Sequence, residues 1–139
     1  MRSEKTQLPE SVKGEIIEVL AGSVMLWEVE NSAQGRAIKD KKGRYRAYSS
    51  MCPQIEPPLI WDPLENLKDT MDLVGQYVPY IRLDARGVDG IQGWVCRIWG
   101  EYSETYAVHA DLKRAICAAA LRKNLREDLA QELLREGLK

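Results

Sequence analysis

Asp111-Leu112-Lys113-Arg114-Ala115-Ile116-Cys117-Ala118-Ala119-Ala120-Leu121 is the stretch whose reading decides the fold. Asp111 is a good N-cap residue, and alanine is the strongest helix former, so a helix is predicted from this point. Its face of Leu112, Ile116 and Ala119, thinned by the Ala118-Ala119-Ala120 run, suits tight seating on a sheet. That sheet is legible just upstream. Val78 to Leu83 reads as one strand and Glu104 to His109 as another. Between them, Gln92 to Trp99 alternates Trp94, Cys96 and Ile98 with Val95, Arg97 and Trp99. Short turns link the three strands, which predicts an antiparallel ladder.

Further upstream, Val12, Ile16, Val19 and Leu20 recur at helical spacing, which predicts a helix from about Pro9 to Ala21, stopped by Gly22. Val24 to Val29 reads as a strand, Asn31 to Gly35 as a turn, and Arg36 to Lys39 as a second short strand. Asp40-Lys41-Lys42-Gly43 reads as a hairpin turn, with Arg44 to Ser50 as the returning strand. Four prolines between Met51 and Pro63 predict an irregular surface connection. Asp62-Pro63 then reads as the cap and first residue of a central helix carrying Leu64, Leu67, Met71 and Val74 up to Gly75. The expected fold class is α+β: helix, β-hairpin, helix, three antiparallel strands and helix, with the helices packed on antiparallel sheet. Residues 1–123 form the expected domain. Residues 124–139, with Leu125, Leu129, Leu133 and Leu134 among charged residues, form an amphipathic extension.

Composition narrows the function classes. The chain has 139 residues with 20 Lys+Arg against 21 Asp+Glu, so it is no globally basic nucleic-acid coat, and any charged partner must meet a local patch. At 45% hydrophobic residues it can bury a core as one domain. No apolar run is long enough to span a bilayer, and Met1 to Glu10 is polar, unlike a signal peptide. A cytoplasmic protein without membrane contact is expected. Three cysteines, Cys52, Cys96 and Cys117, give neither a disulfide framework nor metal-ligand spacing, and His109 is the only histidine. No metal or cofactor is therefore expected, and an enzyme is the weakest reading. His109 is expected to satisfy a backbone group, and Cys96 and Cys117 to act as small buried hydrophobes. The glycines from Gly87 to Gly93 lack a following helix and read as a hairpin turn, not a phosphate cradle.

Three residue patterns resemble the phage ABA sandwich domain family: Met25-Leu26-Trp27-Glu28-Val29, Gly93-Trp94-Val95-Cys96, and the run from His109 through Asp111 to Leu121. The likeness spans roughly Leu8 to Leu121. The family's usual Tyr-Ser-Thr-Asp lead into the central helix is replaced here by Pro57-Pro58-Leu59-Ile60-Trp61-Asp62-Pro63. The resemblance implies a short phage or prophage protein and its fold, but no activity.

Two charged segments mark candidate surfaces. From Arg36 to Arg46 there are six basic residues against Asp40 alone, with Tyr45 and Tyr48 interleaved. From Glu56 to Asp72 there are five acids against Lys68 alone. The leading expectation is a non-enzymatic accessory protein that modulates a host factor by protein contact, anti-defence inhibition such as anti-CRISPR activity included. Trp61, Asp62, Glu65, Asp69 and Asp72 are its candidate contacts, together with Leu125, Leu129 and Leu133, which also make a homodimer through the C-terminal helix conceivable. The alternative is a nucleic-acid or signalling-nucleotide binder using Lys39, Lys41, Lys42, Arg44, Tyr45, Arg46 and Tyr48.

Overall fold

The protein is described by a computed structural model covering residues 9–32, 35–47, 59–85 and 93–135. It is a mixed α+β fold. In chain order its elements are α1 (Glu10–Val19), β1 (Glu28–Ser32), β2 (Gly35–Lys39), β3 (Tyr45–Ala47), β4 (Leu59–Ile60), α2 (Leu67–Tyr77), β5 (Ile81–Ala85), β6 (Trp94–Trp99), β7 (Glu104–His109), α3 (Leu112–Lys123) and α4 (Glu127–Arg135). One sheet has the order β1-β2-β3-β4, antiparallel until β4 joins β3 in parallel; the other is the antiparallel ladder β5-β6-β7.

Helix α3 is the centre of the core. Every residue from Ala115 to Leu121 is buried, a run of nearly two turns, so the helix is covered on all sides. It touches β6 and β7 on one side and α2, α4 and the end of the first helix on others. Alanine at four of these seven positions lets those neighbours approach closely. Asp111 caps the helix as expected, its Oδ1 accepting from Lys113 N–H at 2.9 Å. The parity of β6 also holds. Cys96 and Ile98 face the core with Ala107 opposite, while Trp99 lies outward. Gly93, just before β6, has no room for a side chain, since a Cβ there would come within 2.8 Å of the His109 carbonyl oxygen.

Four local expectations are corrected. Gly22 does not stop the first helix, which widens instead into a π-helical turn over Leu20–Val24; the expected strand starts only at Glu28. Within the proline-rich connection Leu59–Ile60 forms an edge strand on β3. Asp62 does not cap α2. It caps a single preceding turn, its Oδ1 accepting from Leu64 and Glu65 N–H at 3.2 Å, while Asn66 caps the helix itself through Lys68 N–H. The C-terminal leucine stripe is not free. Leu129 and Leu133 are buried with Ala130 against α3, so this part of the tail covers its own domain.

Leu125 is not on that helix. It sits between α3 and α4 at φ +63° and is 90% exposed. Arg126 N–H donates to Leu121 O and Leu125 N–H to Arg122 O, which makes a Schellman stop with leucine where glycine is usual. Leu125→Gly should therefore raise stability, by about 1 kcal/mol in chemical denaturation, because the left-handed backbone penalises a Cβ and the side chain packs on nothing.

Candidate functional site

Asp40 organises the basic hairpin. Its Oδ1 accepts from Lys42 N–H at 3.0 Å and Arg44 N–H at 2.9 Å, and its Oδ2 from Arg44 Nε at 3.2 Å and Arg46 Nε at 2.9 Å. Gly43, at φ +81°, completes the turn, and Asp40 and Arg44 close it through the backbone. Burial alone would raise the Asp40 pKa. The hydrogen bonds from Arg44, Arg46 and Lys42, with the Arg44 charge, outweigh burial and hold the carboxyl below its usual range.

The basic candidates therefore divide into two groups. Arg44 and Arg46 are paired to Asp40, Arg46 mostly buried and Arg44 half exposed. Lys41 and Lys42 are exposed at the tip, and Lys39 lies 5.3 Å from the Tyr45 ring centre and across the strand pair from Glu28. Leu26, Trp27, Glu28, Lys39, Asp40, Lys41 and Gly43 line an open concavity of about 530 Å³. The sequence reading did not single out Leu26, Trp27 and Glu28 for this site. The signal for Trp27 lay in the exit of the first helix, where Leu26 takes φ +61° and Trp27 N–H closes back on Ala21 O. Tyr48 lies outside the described residues, as does Cys52.

Two of the acidic candidates, Asp62 and Asp69, are buried. Trp61, expected as a surface anchor, is 1% exposed. Its ring lies 4.8 Å from that of Trp27 at 59°, and its Nε1 donates to Asp72 Oδ2 at 3.1 Å. Asp62 is fully buried, ion-paired to Lys13 at 3.3 Å, and donates its N–H to Asp69 Oδ2 at 2.8 Å. Burial raises the Asp69 pKa, and the Asp72 and Asp62 charges add to it against the Asp62 N–H bond and the Arg46 charge. Asp62, Asp69 and Asp72 thus brace a loop against α2, with Asp62 and Asp69 buried and Asp72 exposed. Glu65 is exposed, with Lys13 at 3.5 Å.

Its fold resembles that of a phage protein. The solved structure is a phage protein from Bacillus cereus ATCC 14579, with a TM-score of 0.57, 10% identity, and coverage of 85% of this chain and 90% of that one. At that identity the likeness is one of fold. No family model and no curated protein sequence matches the chain.

Groups that could carry chemistry lie apart from the hairpin. Cys96 is buried, which pushes its thiol up to about 12; Cys117 is buried and shifted the same way, with Sγ 3.6 Å from Pro63 O. His109 is buried, its Nδ1 accepting from Asp111 N–H at 2.9 Å. Among the described residues no three His, Cys, Asp or Glu side chains group as metal ligands, and no helix is long and apolar enough to cross a membrane.

The depressed Asp40 pKa sets a pH dependence. Its contribution is present above the unfolded value of about 3.9 and is lost as pH falls through the lower folded value. Relative to the intrinsic rate at each pH, protection of the Lys42 and Arg44 amides, both bonded to the Asp40 carboxylate, should fall on acidification through the Asp40 pKa, and Asp40→Asn should show reduced protection already at neutral pH.

Proposed function

We propose that the chain is a non-enzymatic binding module of phage or prophage origin whose β2–β3 hairpin receives the phosphates of a nucleic acid or signalling nucleotide. The phage ABA sandwich resemblance and the fold shared with a phage protein support the origin. One observation carries the ligand class. Asp40 pairs with Arg44 and Arg46, so the hairpin holds its shape while Lys42 stands exposed at the tip and Lys39 and Lys41 line a concavity. Its volume falls within the range of small-molecule sites, roughly 300–1,000 Å³. Trp27 adds an indole edge to the lining of that concavity, and the Tyr45 ring lies beside Lys39.

Such a module acts on a host by occupying or sequestering its nucleic acid or nucleotide, which accords with an accessory role and with anti-defence activity. The rival, inhibition of a host protein through Trp61, the acidic helix and the leucine stripe, has lost most of its surface. Trp61, Asp62, Asp69, Leu129 and Leu133 are buried.

Fluorescence anisotropy with labelled single-stranded and duplex oligonucleotides tests the reading. Binding should weaken from about 50 to 200 mM salt, with a log–log slope of about −0.7 to −0.9 for each phosphate neutralised. Lys41→Glu with Lys42→Glu should make that slope shallower by about 2, as two cations are removed. A compact nucleotide would instead saturate with a shallow salt response and compete with the oligonucleotide. Absence of binding to either at low salt would refute the proposal.

A further inference from the structure

The concavity beside the β2–β3 hairpin has two walls of different chemistry. One is Leu26-Trp27-Glu28, the chain entering β1, and the other is Lys39-Asp40-Lys41, the chain leaving β2. The register sets Glu28 directly across from Lys39. Asp40 is buried and accepts four hydrogen bonds from its own hairpin, so both of its oxygens are occupied. Glu28 is exposed, and among the described residues no hydrogen bond or ion pair holds its carboxylate.

Leu26 is the strained residue of the first wall. It holds φ +61° with its side chain 64% exposed, beside the bond from Trp27 N–H to Ala21 O. Left-handed backbone at a residue other than glycine persists only where the surroundings fix it, and such residues gather at ligand contacts. Trp27 is half-buried, with the Arg46 guanidinium 5.2 Å and the Trp61 ring 4.8 Å from its ring centre, so Leu26 is the more open apolar surface of the two.

Phosphate alone has no use for a carboxylate in its site and is repelled by it. A base can use one. Among the common bases only guanine presents two adjacent donors, N1–H and N2–H, on its Watson–Crick edge, and the two oxygens of a carboxylate accept both at once. Adenine and cytosine set a ring acceptor next to the amino group, and uracil and thymine flank one donor with two carbonyls, so each would turn a lone pair toward Glu28. We infer that the concavity takes a guanine nucleotide, with the base edge on Glu28, the base against Leu26, and the phosphates along Lys39 and Lys41. This inference rests on the phosphate reading of the hairpin and adds to it the base that the site selects.

Isothermal titration calorimetry of the full chain at low salt tests it with two series of probes: GTP, ATP, CTP and UTP, and single-stranded oligothymidylate with and without one central guanine. The guanine member of a series should bind about tenfold tighter or more, the discrimination that a bidentate contact to a base edge supplies. Preference among the triphosphates assigns a free nucleotide, and preference among the oligonucleotides alone assigns a base within a single strand. Glu28→Gln, at an exposed position, should remove the preference without lowering the affinity for ATP or oligothymidylate, because an amide sets a donor where the second acceptor is needed. Lys41→Glu should weaken every probe alike. Equal affinities within both series, or a Glu28→Gln chain that is folded by circular dichroism and keeps the preference, overturn the guanine assignment and leave the phosphate reading standing. No binding in either series overturns both.

Discussion

A helix buried on every side leaves its neighbours almost no freedom, and α3 imposes that constraint on this fold. From Ala115 to Leu121 no side chain reaches solvent, so β6, β7, α2 and α4 must all close on it together. A methyl side chain permits this because it keeps the axes near while losing no rotamer entropy. Larger residues would push one neighbour away and expose another. The same closeness explains why α4 is needed. Without Leu129, Ala130 and Leu133 over it, one flank of an alanine-rich helix would face water with little apolar area to drive its burial.

A second connection runs from the core to the hairpin. Trp61 packs on Trp27, and the Arg46 guanidinium lies 5.2 Å from the Trp27 ring centre while binding Asp40. The hairpin is thus anchored through two indoles to the loop that precedes α2. Asp72 and Asp69 hold that loop from the helix side, through the Trp61 indole and the Asp62 backbone. Two segments of opposite charge that look like separate surfaces in the sequence are joined by one stack. The acids at 62, 69 and 72 help place the basic hairpin.

Most of the ladder and α3 were legible because strand parity and helix capping are local properties. Trp94, Cys96 and Ile98 share a face whatever lies above them, and Asp111 caps whatever helix follows. Two kinds of feature were not legible. Burial of Trp61 and Asp62 depends on partners far along the chain, Trp27 and Lys13, which no local pattern announces. The left-handed backbone at Leu26 and Leu125 contradicts residue preference, since glycine is the usual occupant, so both leucines read as members of apolar runs. At the candidate site the basic residues were legible as a charge count. Their division into arginines paired to Asp40 and lysines outside that cluster was not, because it is set by which donors reach Asp40.

That division follows from the chemistry of the two cations. Guanidinium is planar and weakly hydrated, and it suits fixed contacts with carboxylates and rings; Arg44, Arg46, Arg82 and Arg97 all make such contacts here. Ammonium is strongly hydrated on a flexible stem, and Lys41 and Lys42 stand exposed. A surface of paired arginines and rings is fixed before a partner arrives, so little order is lost on contact, as a shape-specific protein interface requires. A surface of hydrated lysines exerts its field over a distance of about 8–10 Å at ordinary salt and tolerates many phosphate geometries. The two faces therefore differ in range as well as composition.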